Sequence, residues 1–369
     1  MFKKLNFFFF LLFIVSCIEP YEFVIRDETQ GLVVDAYISD KSFTETLSYP
    51  SDGRYFTVRL STTSDVINIR PVMVTGAVVT LLNDLGEEWG YTESAVEPGV
   101  YYLLDNDFKA LQEIQYKLRI SPPDDNTYES EWQTLPAVET PSIGDIGFVE
   151  TERQKYIVES NENVLRTIKG IEASIAVAKR NSSGEVFYRW DFTPLWIYVA
   201  PLSSTQSPFH QCWASSKNYI PDYVLQIDNV GGYKKDLFFL ETIRNEKLFE
   251  DFSVLVTQFS TNQDYYFFWK EMQEQAQAGA IFDSPPYNLQ TNLHAIGEEK
   301  PVSGYFGVVQ EQARRWYFNI GDLSYTVENT LRGDCLVDYG PGGPAEECND
   351  CREYSFGMAT TTKPLWWRQ

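Results

Sequence analysis

The 369-residue chain contains only two histidines and four methionines. Imidazole is the side chain that ordinarily titrates near neutrality and the commonest metal ligand, so its scarcity leaves little material for the usual acid–base or metal chemistry. A nucleophile elbow, a P-loop, a dinucleotide fingerprint and an HExxH motif are missing as well. Positive charge is short: 30 Lys and Arg stand against 52 Asp and Glu, a formal net charge of -22. Such a surface repels phosphate backbones, which excludes nucleic acid as a partner. The apolar run Phe7–Val15 is nine residues, far short of the roughly 20 that cross a bilayer as a helix. Mean hydropathy of -0.29 excludes a polytopic membrane protein.

Aromatic residues, by contrast, are plentiful. They make up 15% of the chain, with 23 Tyr, 25 Phe and 9 Trp, which favours β structure. Apolar content of 43% and charged content of 22% are those of an ordinary globular protein. At roughly 150 residues per domain the length suits two domains or one large β architecture.

Lys3 and Lys4 precede the short apolar run, which reads as a signal peptide over residues 1–16. Ile14-Val15-Ser16-Cys17 at its end resembles the bacterial lipobox, in which the cysteine is acylated and becomes the first mature residue. Cys17 is therefore the expected lipidation site, holding the chain to the bilayer through residues 17–31 as a tether; each buried methylene of an acyl chain contributes about 0.8 kcal/mol. The alternative, an ordinary secretory signal, leaves Cys17 as a reactive thiol in an oxidising compartment. Ile18-Glu19-Pro20-Tyr21-Glu22 lacks the Asp associated with inner-membrane retention, and its acidity partly resembles the surface-export signal of Bacteroidota lipoproteins. An outer-membrane, cell-surface location is expected.

From Leu32 onward short β-branched and aromatic segments alternate with turn residues, predicting a β-sandwich over 32–135. Phe56, Val58 and Leu60 fall on one face of such a strand. Pro136 and Pro141 mark a boundary. Residues 140–330 predict a second β-rich domain carrying one helix over 262–278. Thr261 and Asp264 suit a capping box, Tyr265, Phe268, Met272 and Ala276 recur at helical spacing as its core stripe, and Gly279 supplies the stop. Residues 331–369 form a cysteine-containing tail.

Several groups of residues together carry a resemblance to a large Bacteroidota outer-membrane lipoprotein family classed as a domain of unknown function. They are Cys17-Ile18-Glu19-Pro20-Tyr21, Leu32-Val33-Val34-Asp35-Ala36, Tyr188-Arg189-Trp190, Cys212-Trp213, Tyr265-Tyr266-Phe267-Phe268-Trp269, Val302-Ser303-Gly304-Tyr305-Phe306-Gly307, Cys348-Asn349-Asp350-Cys351 and Lys363-Pro364-Leu365-Trp366-Trp367. The sequence departs from the family at Asn292, where the usual preceding Gly is absent, and at Gln112-Glu113, where a glycine turn is common. The resemblance implies a prealbumin-like N-terminal sandwich and a TonB-dependent outer-membrane receptor as partner.

Cys212, Cys335, Cys348 and Cys351 remain once Cys17 is lipidated, an even set that reads as two disulfides with three alternative pairings. A four-cysteine zinc site and a Cys348-x-x-Cys351 redox pair are the competing readings. His210 and His294 read as structural or surface residues. The acids Asp124 and Asp125, and Asp334, Asp338, Glu346, Glu347 and Asp350, read as solvated loops rather than calcium sites. Trp190 and Trp269 read as core. Trp196, Phe209, Trp213, Phe282 and Tyr287 are the candidate binding residues, placed around the loop 201–216 and the segment 282–287, where loops on a rigid β scaffold display contact surfaces. The expectation is a binding accessory to TonB-dependent nutrient uptake that needs no cofactor and no resident metal and is not an enzyme. A cell-surface hydrolase using carboxylates and a structural adhesin are the alternatives.

Overall fold

The computed structural model describes residues 31–63, 71–124, 126–138, 140–159, 161–180, 184–277, 289–297, 300–337 and 343–368. The expected signal peptide and the tether up to residue 30, including Cys17, lie outside the described residues, as do Asp125, Gly279, Phe282, Tyr287 and Asp338.

The first half of the chain supplies strands β1 (Leu32–Ser39), β2 (Phe56–Thr62), β3 (Val72–Met73), β4 (Val78–Asn83), β5 (Glu88–Gly90), β6 (Thr92–Glu93), β7 (Val100–Leu103), β8 (Tyr116–Ser121) and β9 (Thr127–Ser130), with one short helix, α1 (Phe43–Thr46). There follow β10 (Ile146–Glu159), β11 (Glu162–Val177), β12 (Val186–Val199), β13 (Gln211–Ser215), β14 (Tyr223–Asp228), β15 (Tyr233–Glu241) and β16 (Phe252–Thr261). Helix α2 (Gln263–Gln277), β17 (Leu293–Ile296), β18 (Val302–Phe318), helix α3 (Leu331–Val337) and β19 (Met358–Thr360) complete the chain. Strand accounts for 46% and helix for 12%, a mainly β fold, as the aromatic and β-branched segments predict.

An eleven-stranded sheet has the order β19-β13-β12-β16-β18-β1-β2-β7-β6, with β14 beside β12 and β3 beside β2. Its centre is the parallel pair β1–β18, in which Val34 faces Gly304 and Ala36 faces Phe306. One sheet thus runs across the 135–140 boundary of the sequence. Two smaller sheets, β17-β9-β8-β4-β5 and β10-β11-β15, cover it. Even-numbered side chains of β18 enter both cores: Phe306 and Val308 pack with Val34, Val58, Leu81 and Leu118, while Phe318 packs with Trp190, Val254, Ile171 and Phe238. Alternation along one strand puts those residues on one side, so both smaller sheets lie against the same face of the large one. Phe56, Val58 and Leu60 are buried, as their alternation predicts. Full burial of side chains of this size contributes roughly 1.5–3 kcal/mol each.

The segment between the two cores is stitched to that same face. Gln310 donates to the Pro136 carbonyl at 3.0 Å and accepts from Thr140, while Gln312 donates to the Pro141 carbonyl at 3.0 Å. These contacts satisfy polar groups that would otherwise be costly to bury.

Helix α2 packs on the opposite face, where Tyr265 and Phe268 meet Phe259, Tyr305 and Val309. Two glycines of β18 shape this seam. Gly304 has φ +100°, and a Cβ there would lie 1.8 Å from the Val34 carbonyl oxygen; at Gly307 a Cβ would lie 2.5 Å from the Tyr265 ring. The observed helix lies within one residue at each end of the one expected, but its start differs in detail. The Thr261 hydroxyl donates to the Phe187 carbonyl, and the first helical backbone bond runs from Tyr266 to Asn262. The expected core stripe also stops early: Met272 and Ala276 are exposed, because the second half of the helix runs past the aromatic seam.

The two sequence departures have local explanations. Glu113 adopts φ 65°, the left-handed conformation a glycine would adopt more easily. The buried Asn292 side chain donates to the Phe306 carbonyl at 2.9 Å and accepts from the Phe306 N–H at 3.0 Å, so it pairs with β18 as a strand backbone would.

Candidate functional site

The four tail cysteines form two disulfides, Cys212–Cys351 and Cys335–Cys348. Cys348 and Cys351 therefore sit in different bridges. The bridges fold the tail back onto β13, which pairs with β19 through Trp213–Thr360.

The described members of the expected binding set, Trp196, Phe209 and Trp213, do not form one exposed surface. Trp196 is fully buried among Phe252, Tyr198 and Leu248, and Trp213 is also buried. This corrects their reading as exposed loop residues. Both belong to strands, β12 and β13, and in β12 Trp196 shares the inward face with Trp190 and Tyr198. Phe209 is half-buried beneath the Arg352 guanidinium, 3.5 Å from its ring centroid. Trp190 is core, its Nε1 donating to Gln258 Oε1 at 3.0 Å. His294 is exposed on β17, and His210 lies half-buried beside the Cys212 strand. Among the described residues no three His, Cys, Asp or Glu are grouped to hold a metal. Glu347 accepts from Ser355, Asp350 pairs with Arg352, and Asp334 accepts from Thr330.

The structure instead assembles a cleft on the face of the large sheet that carries α2. Its volume is about 410 Å³. The floor is built from outward side chains of β12, β16, β18 and β1: Asp191 and Thr193, Leu255 and Thr257, Glu311 and Arg315, and Tyr37. The loop after α1 forms one wall, with Tyr49, Asp52 and Arg54, and Trp366 closes the other side. A capping box between Ser42 and Glu45 starts α1, and the Arg54 N–H donates to Thr46 Oγ1 at 3.0 Å, fixing where the loop turns.

Two of the carboxylates are neutralised internally. Glu311, 2% exposed at its side chain, pairs with Arg54 and accepts from Ser39 Oγ at 2.7 Å. Arg54 also lies 5.0 Å from the Tyr37 ring and 5.1 Å from the Phe56 ring. Asp191 and Arg189, two residues apart and so on one face of β12, form a two-pronged pair at 2.7 and 2.7 Å. Burial pushes the Asp191 carboxyl up while Arg189 opposes that rise, and the paired geometry is that of two charged groups. Arg189 also lies 3.6 Å from the Trp269 ring, which joins the pair to α2.

Arg315 is different. Its Nε donates to the Pro50 carbonyl, its Nη1 donates to Ser253 Oγ at 3.2 Å, and its plane lies 3.7 Å over the Trp366 ring. Among the described residues no carboxylate pairs with it. Burial pushes its pKa down to about 10, opposed by the nearby Tyr317 and Asp52. Asp52 accepts from Trp366 Nε1 at 2.8 Å, so the tail and the α1 loop hold each other across the cleft mouth.

None of Arg54, Asp191, Glu311 and Arg315 is marked by a local motif, and sequence reasoning missed all four. The available signals were charges two residues apart in Arg189-Trp190-Asp191 and the charged residues Glu311 and Arg315, which share one face of β18.

Fold and cleft define a mainly β protein with a charged, aromatic-lined cleft on the side of its main sheet away from the two smaller sheets. The family model described as Domain of unknown function (DUF4249) matches residues 18–315, and the chain belongs to that family. No curated protein and no solved structure matches it.

Proposed function

We propose that the protein is a lipid-anchored outer-membrane lipoprotein, facing the cell surface, that serves as a non-catalytic binding accessory to a TonB-dependent nutrient receptor. The anchoring part of this reading rests on the short apolar run ending at Ser16-Cys17. The binding part rests on one observation: the cleft is preformed, and the carboxylates Glu311 and Asp191 on its floor are already committed to Arg54 and Arg189. A glycoside hydrolase needs one carboxyl held protonated as an acid and a second free as base or nucleophile. Two carboxylates locked in ion pairs suit recognition better. Their hydrogen-bonded geometry, together with Tyr37 and Trp366, offers fixed polar and aromatic contacts of the kind that orient a bound ligand.

Labelled-palmitate incorporation and membrane fractionation test the anchoring. The wild-type chain takes up label and sediments with the outer membrane, whereas Cys17→Ala remains an unlabelled precursor. A Cys17→Ala chain that still incorporates palmitate and fractionates as wild type contradicts the reading.

A further inference from the structure

We propose that the cleft receives a ligand bearing a carboxylate, which docks on Arg315 while the rest of the ligand lies against Trp366 and Tyr37. This deepens the binding role proposed above and rests on it. The charge arrangement in the cleft carries the argument. Glu311 is matched by Arg54 and Asp191 by Arg189, while Asp52 is held by the Trp366 indole. Among the described residues Arg315, unlike Arg54 and Arg189, has only a backbone carbonyl and a hydroxyl as acceptors, in a chain of net charge -22. With Asp52 nearby but bonded to Trp366, a partly buried guanidinium with no directly bonded carboxylate is a costly arrangement in a protein so rich in carboxylates. It becomes favourable when a ligand supplies the anion.

The geometry suits that role. The bonds from Nε and Nη1 and the stacking on Trp366 fix the guanidinium plane, so little side-chain freedom remains to be lost on binding. Among the described residues Nη2 has no protein acceptor, and it is not among the buried unpartnered atoms, so it is open to solvent. A guanidinium with donors left over is the group that matches a carboxylate by two-pronged hydrogen bonding. Thr193, Thr257, Ser51 and Ser215 add hydroxyls along the lining for a polar ligand body. A volume of about 410 Å³ is that of a small-molecule site. Two sources carry this chemistry: the uronic acid unit of an oligosaccharide and the free C-terminus of a short peptide.

Calorimetric titration of the full chain in detergent tests the inference and separates the two sources. The probes are digalacturonic acid against its dimethyl ester, and the tripeptide Gly-Gly-Phe against its C-terminal amide. At least one acid binds, its neutral counterpart binds about tenfold or more weakly, and Arg315→Gln reduces binding of the acid to the same degree. Arg315→Lys, which keeps the charge and loses the fork, falls between. Should Arg315→Gln not fold, the acid-against-neutral comparison on the wild-type chain decides alone. Binding of neither acid, equal binding of acid and neutral forms, or an unaffected Arg315→Gln overturns the proposal. Recovery of a receptor with the lipoprotein but no acid binding removes only this inference; acid binding without a receptor removes only the accessory role.

Discussion

The Cys212–Cys351 bridge spans 139 residues of sequence and Cys335–Cys348 spans 13. Replacing each pair by alanine should therefore have unequal effects. In the chain-entropy account a cross-link stabilises by shrinking the unfolded ensemble, more so for a longer loop, which gives about 5 kcal/mol for the long bridge and about 3 kcal/mol for the short one. Cys212 and Cys351 are also completely buried, in the core around Trp196 and Tyr354, so removing their sulfurs leaves voids that add to the same side. With an unfolding entropy of roughly 2.1 cal/mol/K per residue over the compact unit 31–369, these figures correspond to drops in Tm of about 7 °C and about 4 °C. Near-ultraviolet circular dichroism, which reports the aromatic core, is the appropriate melting probe. Equal shifts, or a larger loss from the Cys335–Cys348 pair, would refute the reasoning.

Two further perturbations follow from particular contacts. Gly304→Ala forces a side chain into a left-handed position and against the Val34 backbone, so it should cost about 3 kcal/mol or more and lower the denaturant midpoint; a midpoint equal to wild type contradicts the parallel β1–β18 register. Glu129 lies between Lys117 and Arg119 on the smaller N-terminal sheet, at 2.5 and 2.7 Å. Burial raises its pKa, but the two cations outweigh that effect and hold its carboxyl below the ordinary value of 4.5. A depressed folded-state pKa gives stabilisation that is complete above the unfolded value and is lost as pH falls through the folded one. Melting temperature followed from pH 6 down to about pH 3 should fall less steeply in Glu129→Gln than in wild type; parallel acid limbs would show that the ion pairs contribute nothing.

Much of the local structure was legible because strand alternation is a period-two signal: Phe56, Val58 and Leu60 are inward, and so is Trp190. Cysteine parity gave two bridges, but which sulfurs meet depends on how the tail returns to β13. The departure from a family glycine at Glu113 marked a left-handed residue that the structure contains. The parallel pairing of β1 with β18 was not legible, since it joins segments some 270 residues apart through backbone hydrogen bonds that leave no pairwise mark in the side chains. That pairing brings Ser39 within hydrogen-bond reach of Glu311 and places Tyr37 and Glu311 on one cleft floor. Trp196 and Trp213 were misplaced for a related reason. They flank a loop in sequence, yet Trp196 lies on the inward face of a strand paired with β16, and Trp213 lies in a strand covered by the returning tail through Thr360, both partners far along the chain.

Affinity purification of the tagged protein from gently solubilised membranes tests the central claim most directly. The account predicts that a TonB-dependent receptor barrel is recovered with it in stoichiometric amount and that the purified chain turns over neither glycan nor peptide. Recovery of the tagged protein alone, with hydrolysis of a glycan or peptide by the pure chain, would contradict the account and assign the protein to the hydrolases.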